Sequence, residues 1–385
     1  MSTVMALREP EPETRVALVP EVVAQIVRKG LRVVIQVGAG AGALQEDDAY
    51  RAVGAEVVSG RELADELSRA QALVHVQPLD PVRIAALPAG MITVGLTGSP
   101  GAATGPTPRD ADGAAMVEAL NAARITALSF ERLPRTSRAQ AMDVLSSQAF
   151  TAGYRAVLEA AIRLPRFFPL AMTAACTVPP AKVIVLGVGV AGLQAIATAR
   201  RLGAKVAAND IRPESAEEVR SVGADFIDVG VPAQGGAGGY ARALDVTAAE
   251  AQQQALARHI VDADVLITTA AVPGRPAPRL VSAATVAGMR PGSVVVDLAA
   301  ATGGNVEGSQ PGVTHHLPST RGGGEVTVVG LASPPSDLPV DASRLFARNV
   351  AAVLESLTDE GGDLIANLDD ELIAGMCLTH AGRSR

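Results

Sequence analysis

The chain has 385 residues, 48% of them hydrophobic but only 2% aromatic, with no Trp and a formal net charge of −7. That length suits two cores rather than one, built from Ala, Val, Leu and Ile as in closely packed α/β layers. The acidic balance, the lack of a basic run and the scarcity of rings exclude the electrostatic footprint and stacking platform of a nucleic-acid binder. No nucleic-acid partner is expected. Cys176 and Cys377 lie too far apart in sequence to suggest a disulfide framework, and residues 1–13 are polar rather than a basic-then-apolar leader. The expectation is a cytoplasmic chain with no direct membrane insertion.

In chain order, helix and strand signals alternate. A helix over residues 21–28 opens near Pro20 and stops at Gly30, and a strand follows over 31–35. The rhythm returns with a helix at 61–70, strands at 73–76 and 91–96, a helix at 111–122 and a strand at 126–130. Residues 142–164 place Val144, Leu145, Ala149, Ala152, Ala156, Val157 and Ala160 at helical spacing, which predicts a long linking helix. The second domain opens on Lys182–Leu186, a near-continuous apolar strand of the kind buried on both faces of a parallel sheet. Further strands are expected at 205–208, 224–227, 265–268, 293–297 and 325–329. The apolar stretch 183–199 contains Gln194 and glycines and divides at Gly187, so it reads as strand, turn and helix rather than as a membrane span.

Residues 230–240 hold five glycines and no periodicity, the composition of an extended loop that closes over ligands. Residues 342–358 read as a helix returning to the first domain. The expected fold class is α/β: two Rossmann-like domains with parallel sheets joined by long helices. Residues 1–140 plus 341–385 form the first, and residues 141–340 form the second, which is inserted in it.

Gly187-Val188-Gly189-Val190-Ala191-Gly192 matches the dinucleotide fingerprint in the context that gives it meaning, directly after a strand and opening a helix. The first glycine permits the turn, the second lets backbone approach a pyrophosphate, and the third lets helix and strand pack closely. Free N–H groups at the helix start face the phosphates. The Asp210-Ile211-Arg212 turn ends the next strand, and Asp210 lies 23 residues after Gly187, where an acid accepts ribose hydroxyls and favours NAD(H) over NADP(H). Arg212 keeps a 2′-phosphate reading open. The plainer alternative is turn glycines and a surface acid.

A second constellation runs from Arg135 to Gln148. On physical grounds it is a polar loop feeding a helix, with Asp143 or Ser137 as cap and the arginines solvated. Its density of amide, carboxylate and guanidinium groups equally suits a ligand in a cleft. No metal-ligand cluster is apparent.

The segments Arg15-Val16-Ala17-Leu18-Val19-Pro20-Glu21, Ser137-Arg138-Ala139-Gln140 with Met142-Asp143, Gly153-Tyr154-Arg155, Thr177-Val178-Pro179-Pro180-Ala181, the fingerprint, Gly238-Gly239-Tyr240-Ala241 and Pro273-Gly274-Arg275-Pro276 together resemble one family over nearly the whole chain. It is the NAD(H)-binding component of proton-translocating nicotinamide nucleotide transhydrogenase, related in fold to alanine dehydrogenase. The resemblance implies that Arg135, Gln140, Asp143 and Ser146 hold the nicotinamide end of NADH, the first three at the point of hydride transfer. It also implies that Tyr240 closes over the nucleotide. The implied partners are NADP(H)-binding and membrane subunits, with the chain a homodimer held peripherally through them.

Three departures qualify that resemblance. His75 replaces an expected lysine, Ala301 an expected acid, and Asp337 an expected arginine. Arg15 alone is retained of the groups that would hold and protonate a 2-oxo acid, so alanine oxidation by the related mechanism is disfavoured. His315 and His316 read as a solvated loop pair. Two other readings are a stand-alone NAD-dependent dehydrogenase of a small amino or hydroxy acid, and an NAD(H)-binding protein without turnover.

Overall fold

The computed structural model describes residues 1–98, 110–230, 246–271 and 276–385. The described chain divides into two compact units, one formed by residues 1–98, 110–148 and 335–385, the other by the described part of Ala149–Pro334.

The first unit alternates strand and helix: β1 (Thr3–Ala6), α1 (Pro20–Arg28), β2 (Arg32–Gln36), α2 (Asp47–Ala52), β3 (Glu56–Val58), α3 (Gly60–Leu67), β4 (Ala72–Val74), α4 (Pro81–Ala85), β5 (Ile92–Gly95), α5 (Asp110–Ala122) and β6 (Thr126–Ser129). Helix α1 shows why the local sequence works. Pro20 fixes the entry dihedral, Glu21 lies in the positive first turn, and Gly30 just beyond the end takes φ +89°. α6 (Val144–Arg163) begins in this unit and continues in the second, as its helical spacing predicts.

The second unit contains β7 (Ala171–Met172) and β8 (Thr177–Val178), an antiparallel pair on their own. Its main elements are β9 (Lys182–Leu186), α7 (Val190–Arg201), β10 (Lys205–Asn209), α8 (Ser215–Ser221), β11 (Asp225–Phe226), α9 (Val246–Ile260), β12 (Val265–Thr268), α10 (Ala283–Ala287), β13 (Val294–Asp297), β14 (Thr314–Pro318) and β15 (Glu325–Gly330). The chain then completes the first unit with α11 (Pro339–Leu357), α12 (Glu371–Met376), β16 (Cys377–His380) and β17 (Arg383–Ser384).

The sheet of the first unit has the order β17-β16-β6-β5-β4-β1-β2-β3, and that of the second β11-β10-β9-β12-β13-β15-β14. Both sheets are mostly parallel, as expected, and each adds antiparallel pairing at one edge: β16 runs antiparallel to β6 and β17, and β14 antiparallel to β15. The physical reason is clearest in the second unit. Only residues 319–324 separate β14 from β15, too few for a parallel crossover, so the pair must form a hairpin. His315 and His316, expected in a loop, pair with Val328 and Thr327 in that hairpin.

In each unit the core is aliphatic, as the composition requires. Val4, Ile35, Val74, Val94 and Leu128 meet α11 in the first unit, where Phe130 and Phe346 make an edge-on contact at 5.6 Å. In the second, Val183, Val185, Val265, Ile267 and Val294 pack under α6 and α7. Strand β9 is central, with parallel neighbours β10 and β12. That arrangement puts the end of β9 at a crevice between diverging crossovers, the usual binding point of an open α/β sheet.

Candidate nucleotide-binding site

The turn after β9 assigns a different physical job to each glycine. Gly187 has φ +92°, and a Cβ there would stand 2.7 Å from Thr269 Oγ1 and 2.9 Å from the Ala270 nitrogen. A Cβ on Gly192 would stand 1.9 Å from the Gly187 carbonyl oxygen, so α7 can sit this close to the turn only without a side chain. Gly189 differs. It is the N-cap of α7 with no side-chain cap, its φ is −72°, and a Cβ there would meet nothing within 4 Å. The chain therefore does not need glycine at 189 for its own packing, and the space beside it is what a pyrophosphate at the first turn of α7 requires.

Two residues from other elements of the second unit support this turn. Thr269 donates its hydroxyl to the Gly187 carbonyl at 2.9 Å and fixes the turn from the end of β12. Gly153, inside α6, lies so near α7 that a Cβ would be 2.1 Å from the Ala191 carbonyl oxygen. A glycine within a helical pattern is itself a hint of close approach.

Asp210 follows β10 and reaches back to the turn. Its carboxylate accepts from the Val188 N–H at 2.7 Å and from the Arg212 N–H at 2.9 Å and Nε at 3.2 Å. Arg212 in turn donates to the Val188 carbonyl at 3.0 Å and stands 3.7 Å from Glu218. The arginine is thus balanced by two carboxylates. Ile211, half-buried, lies between these two residues in sequence. The structure brings Gly187 through Gly192, Asp210 and Arg212 into one site in the second unit. Tyr240 and residues 272–275 lie outside the described residues.

The Arg135 to Ser146 segment forms a separate cluster in the first unit. Asp143 immediately precedes α6 and accepts from the Ser146 N–H at 3.0 Å and hydroxyl at 2.6 Å, so of the two candidate caps it is Asp143 that serves. Arg135 binds the same carboxylate at 3.2 Å. Gln140 is exposed on a short 3₁₀ turn, Ser137–Met142. Asn349 of α11, which no sequence motif singles out, steadies the segment by donating to the Ala141 carbonyl at 2.8 Å and accepting from Ser147 at 2.7 Å.

The residues that a 2-oxo acid site would need are engaged elsewhere. Arg15, 1% exposed, is bound by Glu13 at 2.7 and 2.8 Å and by Gln148 at 2.8 Å. Burial works to raise the Glu13 pKa, but the Arg15 hydrogen bonds and charge outweigh it and bring the carboxyl down to about 2. His75 is buried with Nδ1 at 2.7 Å from the Gln77 carbonyl, and burial holds its pKa down at about 4. Glu9 accepts the Val76 and Gln77 N–H groups, and burial raises it to about 7. Ala301 lies in the 3₁₀ turn Ala300–Thr302. Asp297 before it is fully buried, accepting from Thr268, Ala299 and Val306, and ties the ends of β12 and β13 together. Asp337 closes the 3₁₀ turn Pro334–Asp337. No group of three or more metal-ligating side chains occurs among the described residues, and no described helix is long and apolar enough to cross a membrane.

An open, mostly parallel sheet whose central strand runs through a glycine turn onto a helix, with an acid at the end of the next strand, defines a dinucleotide-binding α/β protein. Residues 5–152 match the family description "Alanine dehydrogenase/PNT, N-terminal domain" and residues 156–385 "Alanine dehydrogenase/PNT, C-terminal domain". The chain belongs to this family of nicotinamide-nucleotide-binding oxidoreductases. It is 43% identical to an NAD(P) transhydrogenase subunit alpha polypeptide of Rhodospirillum rubrum, covering 96% of this chain and 94% of the relative. A solved transhydrogenase from Sinorhizobium meliloti superposes with a TM-score of 0.82 at 37% identity, over 100% of this chain and 98% of that one. Alanine dehydrogenase of Mycolicibacterium smegmatis is more distant, 29% identical over 96% of this chain and 91% of its own.

Proposed function

We propose that this chain is the NAD(H)-binding subunit of a nicotinamide nucleotide transhydrogenase. It presents NADH for direct hydride transfer to NADP+ on a partner subunit, coupled to proton translocation by a membrane component. The observation that carries the reading is the collinear similarity to a transhydrogenase alpha subunit over both units, at an identity well above that to alanine dehydrogenase. The second unit, within the domain of residues 141–340, holds the nucleotide. The first turn of α7 takes the pyrophosphate, and Asp210 takes the adenosine ribose in exchange for its present bond to Val188. Because Arg212 is balanced by Asp210 and Glu218, it supplies no open cation for a 2′-phosphate, which supports NAD(H) over NADP(H).

The bound pair of nicotinamides supplies the chemistry: a hydride leaves C4 of one ring for C4 of the other, giving NAD+ and NADPH. No general acid or base is required, so the protein's contribution is orientation and exclusion of water. Arg135, Gln140, Asp143 and Ser146 do this at the nicotinamide end, with Asp143 anchoring the other two polar side chains it touches, and Tyr240 covers the nucleotide. The chain works as a homodimer bound peripherally to the cytoplasmic face through its NADP(H)-binding and membrane partners. A stand-alone amino- or hydroxy-acid dehydrogenase is disfavoured by the closed Arg15–Glu13 pair and by a His75 that burial keeps neutral.

The test mixes the purified chain with the NADP(H)-binding component of a transhydrogenase and follows reduction of an NADP+ analogue by NADH. Exchange that needs both proteins is expected. A mixture that binds NADH and forms the complex, yet exchanges nothing, overturns the reading.

A further inference from the structure

Asp210 uses both carboxylate oxygens inside the protein. Oδ2 accepts from the Val188 N–H at 2.7 Å, and Oδ1 from the Arg212 N–H at 2.9 Å and Nε at 3.2 Å. The Arg212 guanidinium also donates to the Val188 carbonyl at 3.0 Å, which fixes it beside the glycine turn. A second carboxylate stands at that guanidinium. Glu218, in the first turn of α8, places Oε2 3.7 Å from Arg212 Nη2. That is an ion-pair distance and too long for a hydrogen bond. The same Oε2 is buried and has no hydrogen-bond partner. Glu218 therefore makes no bond there that the fold requires, and what it supplies to Arg212 is charge.

We infer that Glu218 determines which dinucleotide this site accepts: it keeps Arg212 counter-charged while Asp210 holds the adenosine ribose, and so withholds the cation that a 2′-phosphate needs. The inference rests on the nucleotide site of the proposed function but not on hydride transfer. Two steps carry it. A ribose bound through its hydroxyls competes for the oxygens of Asp210, and Oδ1 is the one that now holds Arg212. An arginine released beside that acid is the group that receives a 2′-phosphate in NADP(H) sites of this fold class, gripping it as a planar fork. With Glu218 at hand the released guanidinium still has a counter-ion.

The charge balance points the same way. Asp210, Arg212 and Glu218 together carry one net negative charge, and a 2′-phosphate brings about two more. NAD(H) presents only neutral hydroxyls at that position, so Glu218 discriminates by repulsion rather than by better contacts with the ribose. Removing one unit of charge a few ångströms from the phosphate, near the surface, changes affinity on the order of tenfold.

Calorimetric titration of the full chain with NADH and with NADPH tests it, with thermal melting as a check on the fold. The wild type should bind NADH at least about tenfold more tightly than NADPH. Glu218→Gln, which keeps the shape and removes the charge, should tighten NADPH by about tenfold and shift NADH by less than about threefold. Glu218→Ala should act alike at unchanged melting, since 41% of this side chain is exposed. Glu217→Gln, which takes the same charge from the exposed neighbouring side chain, should leave the NADPH-to-NADH ratio within about twofold. Adding Arg212→Ala to Glu218→Gln should cancel the gain, because the guanidinium is what the phosphate reaches. An unchanged ratio in both Glu218 variants, with NADH still bound, overturns the inference alone, as does a gain that survives the loss of Arg212. A wild type that binds neither nucleotide overturns the nucleotide site, and the inference with it.

Discussion

Replacing Gly189 and Gly192 separately by Ala should divide binding from folding within one turn. At Gly192 the new Cβ would lie 1.9 Å from the Gly187 carbonyl oxygen and 2.9 Å from its carbon, both backbone atoms, so either the turn or α7 must move by more than an ångström. Overpacking of this kind costs about 1–3 kcal/mol, or a melting temperature lower by roughly 2–12 °C for a unit of this size. At Gly189 the Cβ meets nothing within 4 Å, and the backbone, φ −72° and ψ −168°, is open to any residue. Stability should change by less than about 1 kcal/mol, because the less flexible unfolded chain offsets the poorer fit of Ala at the N-cap of α7. The methyl group does occupy the space beside the first turn of α7, where the pyrophosphate is proposed to sit. Losing one charge-assisted hydrogen bond there, about 1.5–3 kcal/mol, weakens NADH roughly ten- to hundredfold. Calorimetric titration with NADH, beside melting curves of the same samples, reads both effects. Unchanged NADH affinity in Gly189→Ala would refute the placement of the pyrophosphate.

Asp143→Ala removes the cap of α6 and the anchor of Arg135, so a stability loss of about 0.5–2 kcal/mol should accompany a fall in partner-dependent hydride transfer larger than the fall in NADH affinity; equal losses would make the residue a cap and nothing more. Glu13→Gln leaves the Arg15 guanidinium buried without its counter-charge, at a cost of about 3–5 kcal/mol in denaturant unfolding, and a cost below 1 kcal/mol would contradict the buried pair. His75 is held neutral in the fold, its pKa at about 4 against 6.5 when unfolded. Its contribution is therefore complete above pH 6.5 and is lost as pH falls to about 4, by roughly 3 kcal/mol. His75→Asn, which keeps a donor for the Gln77 carbonyl, should remove that part of the acid sensitivity; identical pH profiles would show that His75 protonates freely.

Much of this fold was legible because burial and period agree. Val183–Leu186 and Val265–Ile267 are uninterrupted apolar runs, and each lies in a strand at the position its pattern predicts. The elements that went unread are short or depend on partners far away. β1 is only four residues, Thr3-Val4-Met5-Ala6, too short a run to show a period, and it is buried between β2 and β4. β16 and β17 exist as edge additions to β6, a relation no local periodicity records. β14 alternates half-buried and exposed, but its two histidines masked a strand pattern.

The glycine turn was readable because each glycine has a distinct steric duty, and Gly187 and Gly192 perform theirs within the chain itself. Thr269 and Gly153 support that turn from β12 and α6, and only a folded chain brings them there. Asp210 was placed by its spacing, whereas its bonds to Val188 and Arg212 were not readable. The Arg15–Glu13–Gln148 cluster illustrates the same limit: Glu13 and Arg15 are neighbours in sequence, but Gln148 arrives 133 positions later.

Isotope tracing tests the central claim most directly. With NADH deuterated at the transferred C4 position, the chain mixed with an NADP(H)-binding transhydrogenase component in ordinary water should yield NADPH carrying the deuterium, and no turnover should occur without the partner. NADPH carrying solvent hydrogen instead, or NADH consumed by the chain alone with a small oxo acid, would contradict the account.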